Sequence, residues 1–126
     1  MEISETSPKS GEGAGLWLLK IVTGALVITL LFVHLIVNHF TAPHGLLDYH
    51  DVAVYLSNPW IAFMEESFLV LVVSHSLLGL RSVVLDLNPA RTVLQAINWI
   101  FALIGVSAVV YGIWLIQVIV SRGTGG

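Results

Sequence analysis

Three long stretches of this chain carry no charged side chain: Ile21 to Val37, Ser67 to Leu80 and Thr92 to Ser121. A helix needs about 20 residues to cross the roughly 30 Å of hydrocarbon in a bilayer, and inside lipid only a helix or a closed barrel satisfies every backbone polar group. With their flanking residues the runs predict spans at 16–40, 60–85 and 92–120. Of the 126 residues, 56% are hydrophobic and 10% charged, which excludes an ordinary soluble domain and leaves room for one domain at most. The expected fold class is an all-α membrane protein with three transmembrane helices.

The remaining composition narrows the chemistry. Glu2, Glu5 and Glu12 surround a single Lys9, unlike the basic start of a signal peptide or the Arg-rich start of a transit peptide. The first span is therefore expected to be retained, in a bacterial or archaeal cytoplasmic membrane. Cysteine is absent, so this chain holds no disulfide, thiolate-bound iron–sulfur cluster or covalently attached c-type haem. Any redox centre must be held by histidine. A net charge of −3 with no basic patch makes nucleic acid an unsuitable partner.

Residues 1–15, rich in Gly, Ser and Glu, are expected to form a flexible cytoplasmic tail ahead of a membrane domain at 16–126. Asn58-Pro59 and Asn88-Pro89 read as start signals for spans two and three, with asparagine capping and proline in the first helical position. Residues 46–56 place Leu47, Val54 and Tyr55 among polar neighbours, which predicts a short helix at the membrane surface. Lys9, Lys20, Arg81 and Arg91 fall on one side of the three spans, against Arg122 on the other. Because cytoplasmic flanks carry the excess of Lys and Arg, the N-terminus is expected inside and the C-terminus outside. Gly105, Ser107, Ala108 and Gly112, with Gln95, Asn98 and Gln117, suit span three to close packing and interhelical hydrogen bonds.

Functional residues are sought where ionisable groups meet apolar helix, because burying such a group in hydrocarbon costs a few kcal/mol. Ser74-His75-Ser76-Leu77-Leu78-Gly79-Leu80-Arg81-Ser82-Val83-Val84-Leu85-Asp86 is the densest case. His75 is either a neutral ring bonded to a neighbouring helix or an axial ligand of b-type haem. Gly79, one turn on, would leave space for a flat macrocycle. Arg81 serves either as a topology anchor or as the partner of a haem propionate. Asp86 falls toward the aqueous boundary. In the first span His34 is a second candidate ligand, with Asn38 one turn later, and His39 a further one near the outer interface. At about 1.5 Å of rise per residue, His34 lies roughly 21 Å beyond Lys20 and His75 about 9 Å before Arg81, so the two histidines occupy different depths. That suits two separate sites. His44, Asp48, His50 and Asp51 match no standard zinc spacing, and Glu65 and Glu66 suit solvation at the interface.

The pattern His75-x-x-x-Gly79-x-Arg81-x-x-x-x-Asp86 resembles the signature of the small membrane anchor subunits of succinate dehydrogenase (succinate:quinone oxidoreductase) and fumarate reductase, particularly the D-type anchor. Thr23-Gly24 and His34-Leu35-Ile36-Val37-Asn38-His39-Phe40 resemble the opening helix of anchors that hold two haems. The resemblance implies a helical bundle completed by a second, C-type anchor, beneath an iron–sulfur subunit and a flavoprotein subunit. It implies His75 as an axial ligand of haem b, with the other ligand from the partner anchor. It also implies His34 at a second, outer haem, Arg81 against a propionate and Asp86 near the quinone pocket. Leu87 stands where many D-type anchors have a tyrosine that bonds quinone.

The expected function is that of a membrane anchor and cytochrome b subunit passing electrons between the iron–sulfur subunit and quinone. The dicarboxylate chemistry belongs to other subunits, since this chain has no flavin-binding glycine motif. A haem-free structural subunit of another respiratory or transport complex, or a small transporter using the histidines as a metal or proton path, are the alternatives.

Overall fold

The computed structural model describes residues 12–42, 45 and 47–124, and for Thr41 and Thr124 the backbone alone. Most of the expected tail and His44 lie outside the described residues. Among the described residues four helices follow one another: α1 (Ala14–Thr41), α2 (Tyr49–Leu56), α3 (Pro59–Asp86) and α4 (Arg91–Thr124). α1, α3 and α4 are each long and apolar enough to cross a membrane. With 28, 28 and 34 residues they run about 42 to 51 Å, so their ends extend past a core of roughly 30 Å.

Local chemistry sets the helix ends. Asn58 opens α3 as expected: its side chain accepts from the Trp60 amide at 3.0 Å, with Pro59 in the first turn. Asn88 does something different. It adopts φ 54°, the left-handed conformation that asparagine tolerates better than most residues, and its amide donates to the Leu85 carbonyl at 3.0 Å. Asn88 thus ends α3 instead of capping α4. After Pro89, α4 starts at Arg91, with Leu94 N donating to Ala90 O at 2.9 Å. α2 begins later than residue 46 because Asp48 is its cap. Asp48 accepts from the Asp51 amide at 2.8 Å while Asp51 accepts from the Asp48 amide at 3.2 Å. Those two carboxylates are occupied with the helix start, and among the described residues no group of three or more metal-ligating side chains occurs. The buried face of α2 carries Ala53, Tyr55 and Leu56, whereas Val54 is exposed.

α3 is the element on which the others are arranged. It packs along α1 and along α4, and α2 closes against α4 and more lightly against α3. Glycines of α4 receive leucines of α3: a Cβ at Gly105 would stand 2.8 Å from Leu77 Cδ1, and one at Gly112 would collide with Leu69. Gly123 likewise leaves room for Ala53 of α2. Two side-chain bonds cross the same seam, from Arg81 Nε to Asn98 Oδ1 at 2.7 Å and from Gln117 Nε2 to Glu66 Oε1 at 2.9 Å. The distribution of burial is that of a chain dissolved in lipid. Glu12, Thr23 and Ser82 are buried, while Phe32, Phe40 and Leu103 face outward.

Candidate functional site

The seam between α1 and α3 brings together Lys20, His34, Glu65 and His75. Near the end where α1 begins, Lys20 Nζ donates to Glu12 Oε1 at 2.8 Å and to Ser82 Oγ at 3.0 Å, with Glu12 and Ser82 both buried. One turn further along α1, His75 of α3 meets the backbone. Its Nδ1 lies 3.1 Å from the Lys20 carbonyl oxygen and 3.2 Å from Thr23 Oγ1. A carbonyl only accepts, so Nδ1 carries the ring proton and donates it there. The Thr23 hydroxyl has carbonyls of Leu19 and Lys20 at 2.8 and 3.1 Å to donate to, which leaves its oxygen to accept from the same ring nitrogen. In the neutral ring Nε2 is then the unprotonated nitrogen, with its lone pair in the ring plane. A ring held in this way through Nδ1–H is prepared to ligate a metal through Nε2.

Gly24 makes that approach possible. A Cβ at residue 24 would lie 2.9 Å from His75 Cε1, closer than real Cβ atoms come to a neighbour. At Gly79 an added Cβ meets nothing within 4 Å. The glycine on which the histidine depends is on the facing helix, and Gly79 borders open space.

His34 lies ten residues beyond Gly24, about 15 Å along α1. Its Nδ1 is 2.7 and 3.0 Å from the two Glu65 oxygens, and its ring stacks on Phe68 with centroids 5.3 Å apart. Glu65, expected in solvent, is instead the hub of a polar cluster with its side chain 14% exposed. Tyr55 OH donates to Glu65 Oε1 at 2.5 Å, and the Asn38 amide donates to the His34 carbonyl at 2.8 Å and to Tyr55 OH at 3.3 Å. Burial pushes the Tyr55 hydroxyl to higher pKa; the Glu65 carboxylate raises it further, against a lowering from Asn38. The cluster ties α1, α2 and α3 together at the end of the molecule opposite Lys20.

The other expected residues are dispersed. His39, in the last turn of α1, is exposed and meets the edge of Phe40. Asp86 is exposed at the last turn of α3. Arg81 turns to α4 through its bond to Asn98, whereas His75 turns to α1. Six residues at 100° each leave these two side chains about 120° apart around α3.

Two comparisons with known proteins bear on this arrangement. The family described as "Succinate dehydrogenase/Fumarate reductase transmembrane subunit" matches residues 5–114. The chain belongs to that family. It is also similar to the succinate dehydrogenase hydrophobic membrane anchor subunit of Archaeoglobus fulgidus, 31% identical over 100 residues, which cover 79% of this chain and 85% of the relative. No solved structure matches the chain. As a membrane anchor subunit of the succinate dehydrogenase/fumarate reductase family, the protein is a multi-pass membrane protein, and the family match takes in both histidine sites, Arg81 and Asp86. Sequence reasoning singled out His34 and His75 as candidates. It missed the pairing of Glu65 with His34, although an ionisable residue early in an apolar span was the signal, and it missed the steric part of Gly24, which depends on how two helices are rotated against each other.

Proposed function

We propose that this chain is the D-type hydrophobic anchor of a succinate:quinone oxidoreductase and holds haem b through His75. The single observation carrying the proposal is the Nδ1–H of His75 bound to the Lys20 carbonyl, which leaves Nε2 as the ligating nitrogen. Thr23 and Gly24 complete the support, one as a second acceptor, the other by leaving the ring its space. A haem bound there would supply one-electron chemistry between an iron–sulfur subunit and quinone. The chain's own contribution is to fix the ring orientation and to keep the site in apolar surroundings. The second axial ligand comes in this reading from a C-type partner anchor that completes the bundle. A flavoprotein subunit carries out the dicarboxylate chemistry.

His34 is proposed as the ligand of a second, outer haem: Glu65 holds its Nδ1, and Nε2, 3.4 Å from Asn38 Nδ2, would exchange that weak contact for the iron. Exposed His39 has no comparable support, and Arg81 faces α4, away from the His75 side, so neither enters the proposed haem sites. Asp86, at the end of α3, is proposed near the quinone pocket, where a carboxylate can deliver a proton to reduced quinone. The N-terminus is proposed on the cytoplasmic side on the strength of the Lys and Arg balance, and the membrane as bacterial or archaeal on the strength of the acidic first residues.

A haem-free anchor is the second reading, since both histidines are bonded across to a neighbouring helix and would pack as they stand. A dithionite-reduced minus oxidised spectrum of the purified complex separates the two. The b-type signal is expected in the native complex, reduced by one haem in His75→Ala. An assembled complex with an unchanged spectrum in that variant overturns the ligand assignment.

A further inference from the structure

Outside the histidine seam, Arg81 and the Gln117–Glu66 pair are polar features of the α3–α4 seam, and Arg81 carries its positive charge there. With Asn98 it heads a groove of about 370 Å³ walled by Leu77, Leu78, Phe101 and Ala102. The groove continues, sharing three of those wall residues, into a second of about 330 Å³ that reaches Val110. From Asn98 to Val110 is about 18 Å of helix, close to the roughly 15 Å half-thickness of a bilayer core. The length is that of one leaflet.

The charge lies at one end of this groove. Arg81 Nε donates to Asn98 Oδ1 at 2.7 Å, which fixes the plane of the guanidinium and directs its remaining N–H donors elsewhere. Arg91, exposed in the first turn of α4, stands seven residues before Asn98 on the same helical face and about 10 Å nearer the aqueous boundary. Neither arginine makes an ion pair with a described residue. A partner helix crossing the whole membrane would be longer than the groove and would need its own carboxylate at Arg81. A phospholipid has the required shape and charge, with an apolar chain one leaflet long beneath a phosphate.

We propose that the α3–α4 groove is a binding site for an anionic phospholipid, its phosphate on Arg81, its headgroup toward Arg91 and one acyl chain along Leu77 and Phe101. Arg81 thereby becomes a lipid-binding residue about a third of a turn around α3 from His75. The proposal does not depend on haem.

The test uses the intact complex, reconstituted in nanodiscs of nine parts phosphatidylcholine to one part phosphatidylglycerol, re-extracted in mild detergent and analysed for retained lipid by mass spectrometry. Phosphatidylglycerol is expected enriched by about fivefold or more over its bilayer share, as one juxtamembrane cation provides. Arg81→Gln should return the retained lipid to the bilayer ratio, and Ala102→Trp, which fills the groove without altering its charge, should lower total retained lipid. Retention in proportion to bilayer composition by the native complex, adventitious lipid only, overturns the site. So does enrichment that persists in both variants. Loss of the haem signal in Arg81→Gln with lipid enrichment intact would instead return Arg81 to the haem propionate.

Discussion

Replacing Gly24 by alanine adds one methyl group to α1 against the face of His75. The new Cβ would lie 2.9 Å from His75 Cε1, where ordinary contacts begin near 3.4 Å, so the ring must retreat by about half an ångström. The Nδ1 to Lys20 carbonyl distance of 3.1 Å would stretch toward 3.6 Å, beyond hydrogen-bonding range. Losing that bond costs about 1 kcal/mol and overpacking the seam about 1 to 3 kcal/mol more. Because support of this kind tunes metal affinity by about 10- to 100-fold, Gly24→Ala should release a large part of the haem proposed at His75. The assay is haem content per assembled complex, by reduced minus oxidised spectrum. Gly79→Ala is the matched control, since its Cβ meets nothing within 4 Å, and it should keep the haem while gaining up to about 1 kcal/mol of helix propensity. Retained haem in Gly24→Ala together with lost haem in Gly79→Ala would refute the reasoning and move the macrocycle to the Gly79 side of α3.

Other outcomes follow from the remaining contacts. Glu65→Ala strands the His34 Nδ1–H and the Tyr55 hydroxyl without their acceptor and should cost about 1 to 3 kcal/mol, read as a lower thermal midpoint of the complex. Gly112→Val forces the α4 backbone from Leu69 and should destabilise by about 1 to 3 kcal/mol in the same measurement, whereas Ser107→Val, at an exposed position, should be near neutral. Asn88→Ala should cost about 1 to 2 kcal/mol for a left-handed residue with a Cβ, and Asn88→Gly should not, by the same midpoints. The Tyr55 hydroxyl titrates at higher pH in the folded chain than its ordinary value of about 10, so folding favours its protonated form. Its contribution is complete below pH of about 10 and declines as pH rises through the raised value; native and Tyr55→Phe complexes should therefore converge in stability only in strong alkali.

The spans were legible because hydrocarbon thickness and backbone satisfaction leave an uncharged run few alternatives. α1, α3 and α4 accordingly stand where the runs of Ile21, Ser67 and Thr92 put them. Helix ends were legible only in part. Asn58-Pro59 and Asn88-Pro89 are the same dipeptide and each stands two residues past a helix, yet extended Asn58 caps the helix ahead of it while left-handed Asn88 closes the one behind, a backbone choice the dipeptide leaves open. The histidines stood out by their cost in lipid, but their partners did not. That Glu65 faces His34, that Arg81 faces Asn98, and that Gly24 faces His75 are consequences of helix rotation, which a single span's apolar pattern leaves open because lipid and protein neighbours are equally apolar.

The glycine seats of α4 have a reach beyond their own seam. Leu69 and Leu77 sit in the notches at Gly112 and Gly105, one on either side of His75 in the sequence of α3. Two notches on one face fix both the height and the rotation of a rod. The aim of the His75 ring is therefore set from behind, by a helix the ring does not face, and a methyl group added to α4 would be registered as a turn of the histidine on the far side of α3.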